Sequence, residues 1–101
     1  MQDLIALFRA LGEENRLRIL EMLREGRLCV TDITDRLGIT QSSVSHHLRV
    51  LREAGLVECH RRGLWIDYSL ATDGSNPYAE PLLEKLAEWS KGKTGGRRRR
   101  N

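Results

Sequence analysis

At 101 residues the chain has room for one domain with a modest core, and none for a large catalytic domain with a deep pocket. No apolar run reaches the roughly 18 residues that a membrane span needs, and the start MQDLIALFRALGEENR lacks the basic leader, long apolar stretch and small-residue cleavage site of a secretion signal; a soluble cytoplasmic protein with no membrane partner is expected. The net charge of +3 is unevenly placed: residues 91–101 carry six basic and no acidic side chains, which leaves residues 1–90 with eleven basic against fourteen acidic, a net of −3, so a nucleic-acid reading has to come from local pattern and not from overall charge.

In DLIALFRAL the apolar positions Leu4, Ile5, Phe8 and Leu11 recur at helical spacing, and Gly12 closes the segment. A second helix is expected from Glu13 to Asn15 onward, where acidic residues suit the N-terminal dipole end. It runs through Leu17, Leu20 and Leu23, widened by Ile19 and Met22, to a stop at Gly26. LCV is too short for a helix and reads as a strand, with Thr31 as the N-cap of a two-turn helix that carries Ile33 and Leu37 to Gly38. Thr40 caps the next helix, which reaches about Ala54 before Gly55. Two helices separated by a short glycine-containing turn form a helix-turn-helix pattern.

After it, LVECHRRGLWIDYSL reads as a hairpin. Val57 and Cys59 alternate with Glu58 and His60, RRG makes the turn, and Leu64, Ile66, Tyr68 and Leu70 alternate with Trp65, Asp67 and Ser69. ATDGSNP is a turn-rich connection, and PLLEKLAEWS is a last amphipathic helix with Leu82, Leu86 and Trp89 on one stripe and Leu83 beside it. From Lys91 on there is no apolar residue, so a domain over residues 1–90 and a basic disordered tail over residues 91–101 are expected.

The segments NRLRILEML, LCVTDI, LGITQSSVSHHLRVLREAGLV and RRGLWIDYSL, in this order and spacing, resemble the ArsR/SmtB family of winged helix-turn-helix transcriptional repressors, over residues 4 to 90. The resemblance implies a mainly α fold with a small β-hairpin wing and a homodimer built through the first and last helices. It also implies a repressor that blocks its own double-stranded operator until a signal releases it. Two recognition helices would enter successive major grooves, with half-site centres about 34 to 36 Å apart.

On a helical wheel at about 100° per residue, Val44, Leu48 and Leu51 fall together on a buried side and Ser42, Ser45, His46 and Arg49 lie opposite. Short hydroxyls permit close approach to a groove, and Gln41 at the helix start suits a bidentate contact with adenine. The family's DNA-contact positions match Gln41, Ser42, Ser45 and His46, and Arg49 is expected at a phosphate. His46 and His47 diverge by about 100° on the wheel, so they do not share a metal as a pair spaced four apart would; His47 is expected beside the core. Arg61 and Arg62 are expected at the wing tip, near the minor groove or flanking phosphates. The run Arg97 to Arg100 either adds sequence-independent DNA affinity or is a solvated end.

Many members of the family bind arsenite, cadmium or lead through a CVC motif before the turn, since soft ions require thiolates. Here the motif is Cys29-Val30-Thr31, with Thr34 at the third position, which leaves one thiolate of three. Others bind zinc, cobalt or nickel on the last helix, yet residues 78 to 91 hold no histidine or cysteine. In a winged hairpin Cys59 would sit two strands from Cys29, roughly 10 Å at the spacing of paired strands, beyond the reach of a disulfide or a shared ion. No metal and no cofactor are expected, and both cysteines read as small buried apolar residues. A thiol sensor for arsenite, other soft metals or oxidants, using Cys29, Cys59 or both, within one copy or across the dimer, is the alternative. Of the other classes, a hydrolase built on His46, His47 and His60 lacks ligand spacing and a phosphate loop, whereas a winged-helix module could offer its apolar last helix to another protein.

Overall fold

Capping side chains and tight turns divide the chain into short helices. The computed structural model describes residues 1–72 and 74–96, with side chains through Ser90. The elements are α1 (Gln2–Leu11), α2 (Glu14–Leu23), β1 (Leu28–Cys29), α3 (Val30–Leu37), α4 (Gln41–Glu53), β2 (Val57–Arg62), β3 (Trp65–Leu70) and α5 (Ala79–Gly96). Glu13 opens α2 by accepting the Arg16 N–H (3.0 Å) and Thr40 opens α4 by accepting the Ser43 N–H (3.1 Å), so each helix start has an otherwise orphaned donor satisfied.

One cap differs from expectation. The strand stops at Cys29 and α3 begins at Val30, so Cys29 occupies the N-cap position and Thr31 lies inside the helix. Once helical, Val30 packs against the core and its carbonyl accepts from Thr34 Oγ1 (2.8 Å); apolar burial outweighs the weak strand preference of so short a segment.

The core is drawn from every helix: Leu7 and Ala10 of α1, Ile19, Leu20 and Leu23 of α2, Ile33 and Leu37 of α3, Val44, Leu48 and Leu51 of α4, and Ala79 of α5, closed by Leu56 and Val57. In α1 the stripe read from spacing is divided. Leu7 and Ala10 face the core, while Ile5 and Phe8 remain 47% and 61% exposed. Trp89 on α5 is likewise 60% exposed, so α1 and α5 each keep an apolar side that the protomer itself does not cover.

The sheet has order β1-β3-β2 with antiparallel neighbours. Arg62 pairs with Trp65, so the turn is the two residues Gly63 and Leu64. Gly63 takes φ 61°, as tight hairpin loops require. Arg61 and Arg62 therefore end strand β2 and do not form the turn, a correction to the expected RRG tip.

Asn76, nearly buried just before α5, ties three elements together. Its Nδ2 donates to Ala54 O at the end of α4 (2.9 Å) and to Asp3 O in α1 (3.2 Å), and its Oδ1 accepts the Tyr78 N–H (3.0 Å). Helix α5 continues to Gly96, past Ser90, after which the disordered tail was expected to begin. Arg97 to Arg100 lie outside the described residues. No helix among the described residues is long and apolar enough to cross a membrane.

Candidate nucleic-acid interface

Helix α4 is amphipathic in the sense that its spacing indicated. Val44, Leu48 and Leu51 have no exposed surface, whereas Gln41, Ser42, Ser45, His46 and Arg49 are all exposed on the other side. Arg49 Nη2 donates to His46 Nδ1 (3.3 Å), which holds two of these side chains together on the outer face. The row thus offers an amide, two hydroxyls, an imidazole and a guanidinium, and no carboxylate. That chemistry accepts and donates to base edges and attracts phosphates without repelling them.

The wing strand β2 packs against α4. Arg61 is exposed. Arg62 Nη2 donates to Asp67 Oδ2 (2.9 Å).

His47 leaves this row and anchors the helix instead. Arg16 Nη1 donates to His47 Nδ1 (3.2 Å), and the same guanidinium closes the end of α1 by donating to Ala10 O (2.7 Å) and Arg9 O (3.2 Å). An arginine can only donate, so Nδ1 accepts and the ring proton sits on Nε2, 3.8 Å from Glu13 Oε1. Burial pushes the His47 pKa below its ordinary value, with Glu13 opposing and Arg16 and His46 reinforcing the shift. Burial raises the Glu13 pKa, but the Arg16 N–H and His47 outweigh it and leave that carboxyl below its usual range. Nothing in the spacing marked Arg16, and Asn76 lay in a stretch legible only as turn.

A pH dependence follows. A histidine whose folded pKa is depressed contributes stability that is present above its unfolded value and lost as pH falls through the folded value. Between about pH 7 and pH 5 the unfolding midpoint is expected to fall more steeply in the wild type than in His47→Gln, which keeps an acceptor for Arg16 but does not titrate. Thermal melts across that range check it, and equal slopes would contradict it.

Cys29 and Cys59 are free thiols, each partly buried. Cys29 pairs with Asp67 and Cys59 with Tyr68, and consecutive residues of β3 point to opposite faces. The two thiols are therefore on opposite sides of the sheet as well as on its two outer strands, which rules out a shared ion or a disulfide between them. Burial and then the neighbouring Cys59 thiol push the Tyr68 phenol pKa up. Among the described residues no group of three or more histidine, cysteine and carboxylate side chains is placed to hold a metal ion.

A family profile described as bacterial regulatory protein, arsR family, matches residues 13–58. The chain is 38% identical over 66 residues to the transcriptional repressor SdpR of Bacillus subtilis, spanning 65% of this chain and 73% of that protein. Among solved structures it is similar to HlyU from Vibrio cholerae, with a TM-score of 0.73 and 31% identity over 87% of this chain and 91% of that one. It is also similar to a homodimeric winged helix-turn-helix DNA-binding domain from Mycobacterium bovis, a possible ArsR-family regulator, with a TM-score of 0.76 and 25% identity over 90% and 81% of the two chains. The helix-turn-helix with its exposed polar row and hairpin wing, together with these similarities, places the chain in the arsR family of bacterial regulatory proteins.

Proposed function

We propose that the chain is a sequence-specific DNA-binding transcriptional repressor that acts in the cytoplasm as a homodimer on its own operator. The observation that carries this is the carboxylate-free row Gln41, Ser42, Ser45, His46 and Arg49, exposed on a helix whose opposite side is locked into the core. In this reading Gln41, Ser42, Ser45 and His46 meet base edges or nearby phosphates, Arg49 and Arg61 meet the backbone, and Arg62 contributes less because Asp67 neutralises it. The uncovered apolar residues Ile5 and Phe8 of α1 and Trp89 of α5 support pairing of two copies through the first and last helices, as does the homodimeric state of the similar Mycobacterium bovis domain. Release by a signal is part of the reading. A cysteine-based signal within one protomer would act through a single thiol, Cys29 or Cys59, since the sheet separates the two.

The test is DNA binding to the region upstream of the chain's own coding sequence. Gln41→Ala and His46→Ala are expected to weaken binding roughly tenfold each and to change the preferred sequence, as loss of a base contact does. Arg61→Ala is expected to weaken binding uniformly across sequences and to reduce the salt slope by about one unit. Unchanged affinity in all three variants would overturn the assignment. Absence of any specific shift by the wild type at moderate salt would favour the protein-interaction module.

A further inference from the structure

Helix α4 is tied to α1 at two places, and side chains of other elements make both ties. Arg16 of α2 makes the first. Its Nη1 donates to His47 Nδ1 (3.2 Å), while its Nε and Nη2 donate to Ala10 O (2.7 Å) and Arg9 O (3.2 Å) at the C-terminal end of α1. Asn76 makes the second, from Ala54 O (2.9 Å) to Asp3 O (3.2 Å) near the start of α1. His47 and Ala54 are seven residues apart, as are Asp3 and Ala10, about 10 Å along each helix. The two helices therefore lie alongside each other in opposite directions, with a bridge at each end of the shared length. The bridges differ in what they hold. Asn76 grips α4 beyond the last residue of its exposed polar row, whereas Arg16 grips His47, which lies between His46 and Arg49 of that row.

We infer that His47 is a positioning residue: through Arg16 it fixes where the polar row stands relative to α1, and so the half-site spacing that a dimer accepts. The inference rests on the DNA-binding homodimer reading, in which α1 belongs to the surface between the copies. A guanidinium is planar and its N–H groups point in fixed directions, so acceptors on Ala10, Arg9 and His47 that share one guanidinium define one arrangement of α4 on α1. The apolar packing of Val44 and Leu48 resists separation of α4 from the core, but apolar burial is non-directional and does not by itself fix a slide or a rotation. The His47 side chain is 12% exposed, so water competes little for its bond to Arg16. Half-sites set one base pair further apart are displaced by about 3.4 Å and turned by about 35°. A tied helix cannot follow that change, and a loosened one can.

The experiment uses the full chain. A duplex with two half-sites is first selected from a random pool with the wild-type protein. That duplex, and versions with one base pair added to or removed from the spacer, are then titrated by fluorescence anisotropy. The readout is the ratio of affinities for the selected and the altered spacing, because a variant that only lowers the folded fraction weakens every duplex alike and leaves the ratio unchanged. The wild type is expected to prefer the selected spacing by roughly thirtyfold, within the range of one mismatched position. His47→Leu, which keeps bulk but no acceptor, is expected to reduce the ratio to about threefold or less. His47→Asn, whose Oδ1 stands as many bonds from Cβ as Nδ1 does and accepts from Arg16, should restore most of it. Arg16→Lys keeps the charge but not the planar fork; it should behave as His47→Leu does, and carries the test if the leucine variant does not fold. A wild-type ratio in His47→Leu or Arg16→Lys, or no recovery in His47→Asn, overturns the inference. Equal binding of all spacings by the wild type also overturns it and leaves the DNA-binding reading standing. Failure to select any site sinks both.

Discussion

Gly55→Ala is expected to destabilise the fold by about 2 to 4 kcal/mol, from the left-handed backbone and overpacking together. Gly55 has φ 81°, and a Cβ there would lie 2.7 Å from Asn76 Cβ and 3.3 Å from Ser75 Oγ. The closer neighbour is not the free end of a flexible side chain. Asn76 is held by Ala54 O, Asp3 O and the Tyr78 N–H, so moving it strains bonds that join α1, α4 and the start of α5. Gly38 is the control: its φ of 71° is similar, but a Cβ there would meet nothing within 4 Å, so Gly38→Ala should cost only about 1 kcal/mol, the backbone share. Urea unfolding of both variants at one fixed protein concentration makes the comparison, because pairing of two copies, as proposed, would make apparent stability concentration-dependent. Equal losses in the two variants would mean that Asn76 does not clamp the end of α4.

Ser45→Glu is expected to reduce operator affinity by about a hundredfold or more at physiological salt while leaving the unfolding midpoint within about 1 kcal/mol of the wild type. Ser45 is exposed between Ser42 and His46 on the outer side of α4. On the proposed DNA face a carboxylate there would meet phosphates instead of solvent, and like charges brought together at an interface cost several kcal/mol. The longer side chain also holds the helix away from base edges that a serine hydroxyl allows it to reach. Glutamate is a better helix former than serine, so folding does not suffer. Ser45→Ala, which removes only the hydroxyl, should lose roughly two- to tenfold, consistent with one hydrogen bond. Anisotropy titrations with both variants check this, and wild-type affinity in Ser45→Glu would mean that this side of α4 is not the DNA face.

The two faces of α4 were readable in advance because a single helix makes a face predictable from spacing alone. Val44, Leu48 and Leu51 are buried and Gln41, Ser42, Ser45, His46 and Arg49 exposed, as a rotation of about 100° per residue requires. The same rule separated His46 from His47. For α1 it gave the stripe Leu4, Ile5, Phe8 and Leu11, of which Leu11 packs on the core and Ile5 and Phe8 stay exposed, while Leu7 and Ala10 are buried. A helix with apolar residues on more than one side has two faces to bury, and spacing does not say which of them belongs to the protomer's own core. The RRG turn failed for a related reason: whether an arginine ends a strand or forms a turn depends on register, and Arg62 pairs with Trp65.

By itself the sequence determined the order of the elements, the helix stops, the two faces of α4 and the incompleteness of the thiolate motif at Cys29, since each depends on neighbours within a few residues. Only the tertiary structure decided that Arg16 and His47 join α1 to α4, that Asn76 pins both of them to the start of α5, that Cys29 and Cys59 face opposite sides of the sheet, and that Asp67 holds Arg62 and Trp65. Those are contacts between residues far apart in the chain or across a strand register, and hydrogen-bond geometry and burial at such distances are set by packing, which no local pattern encodes.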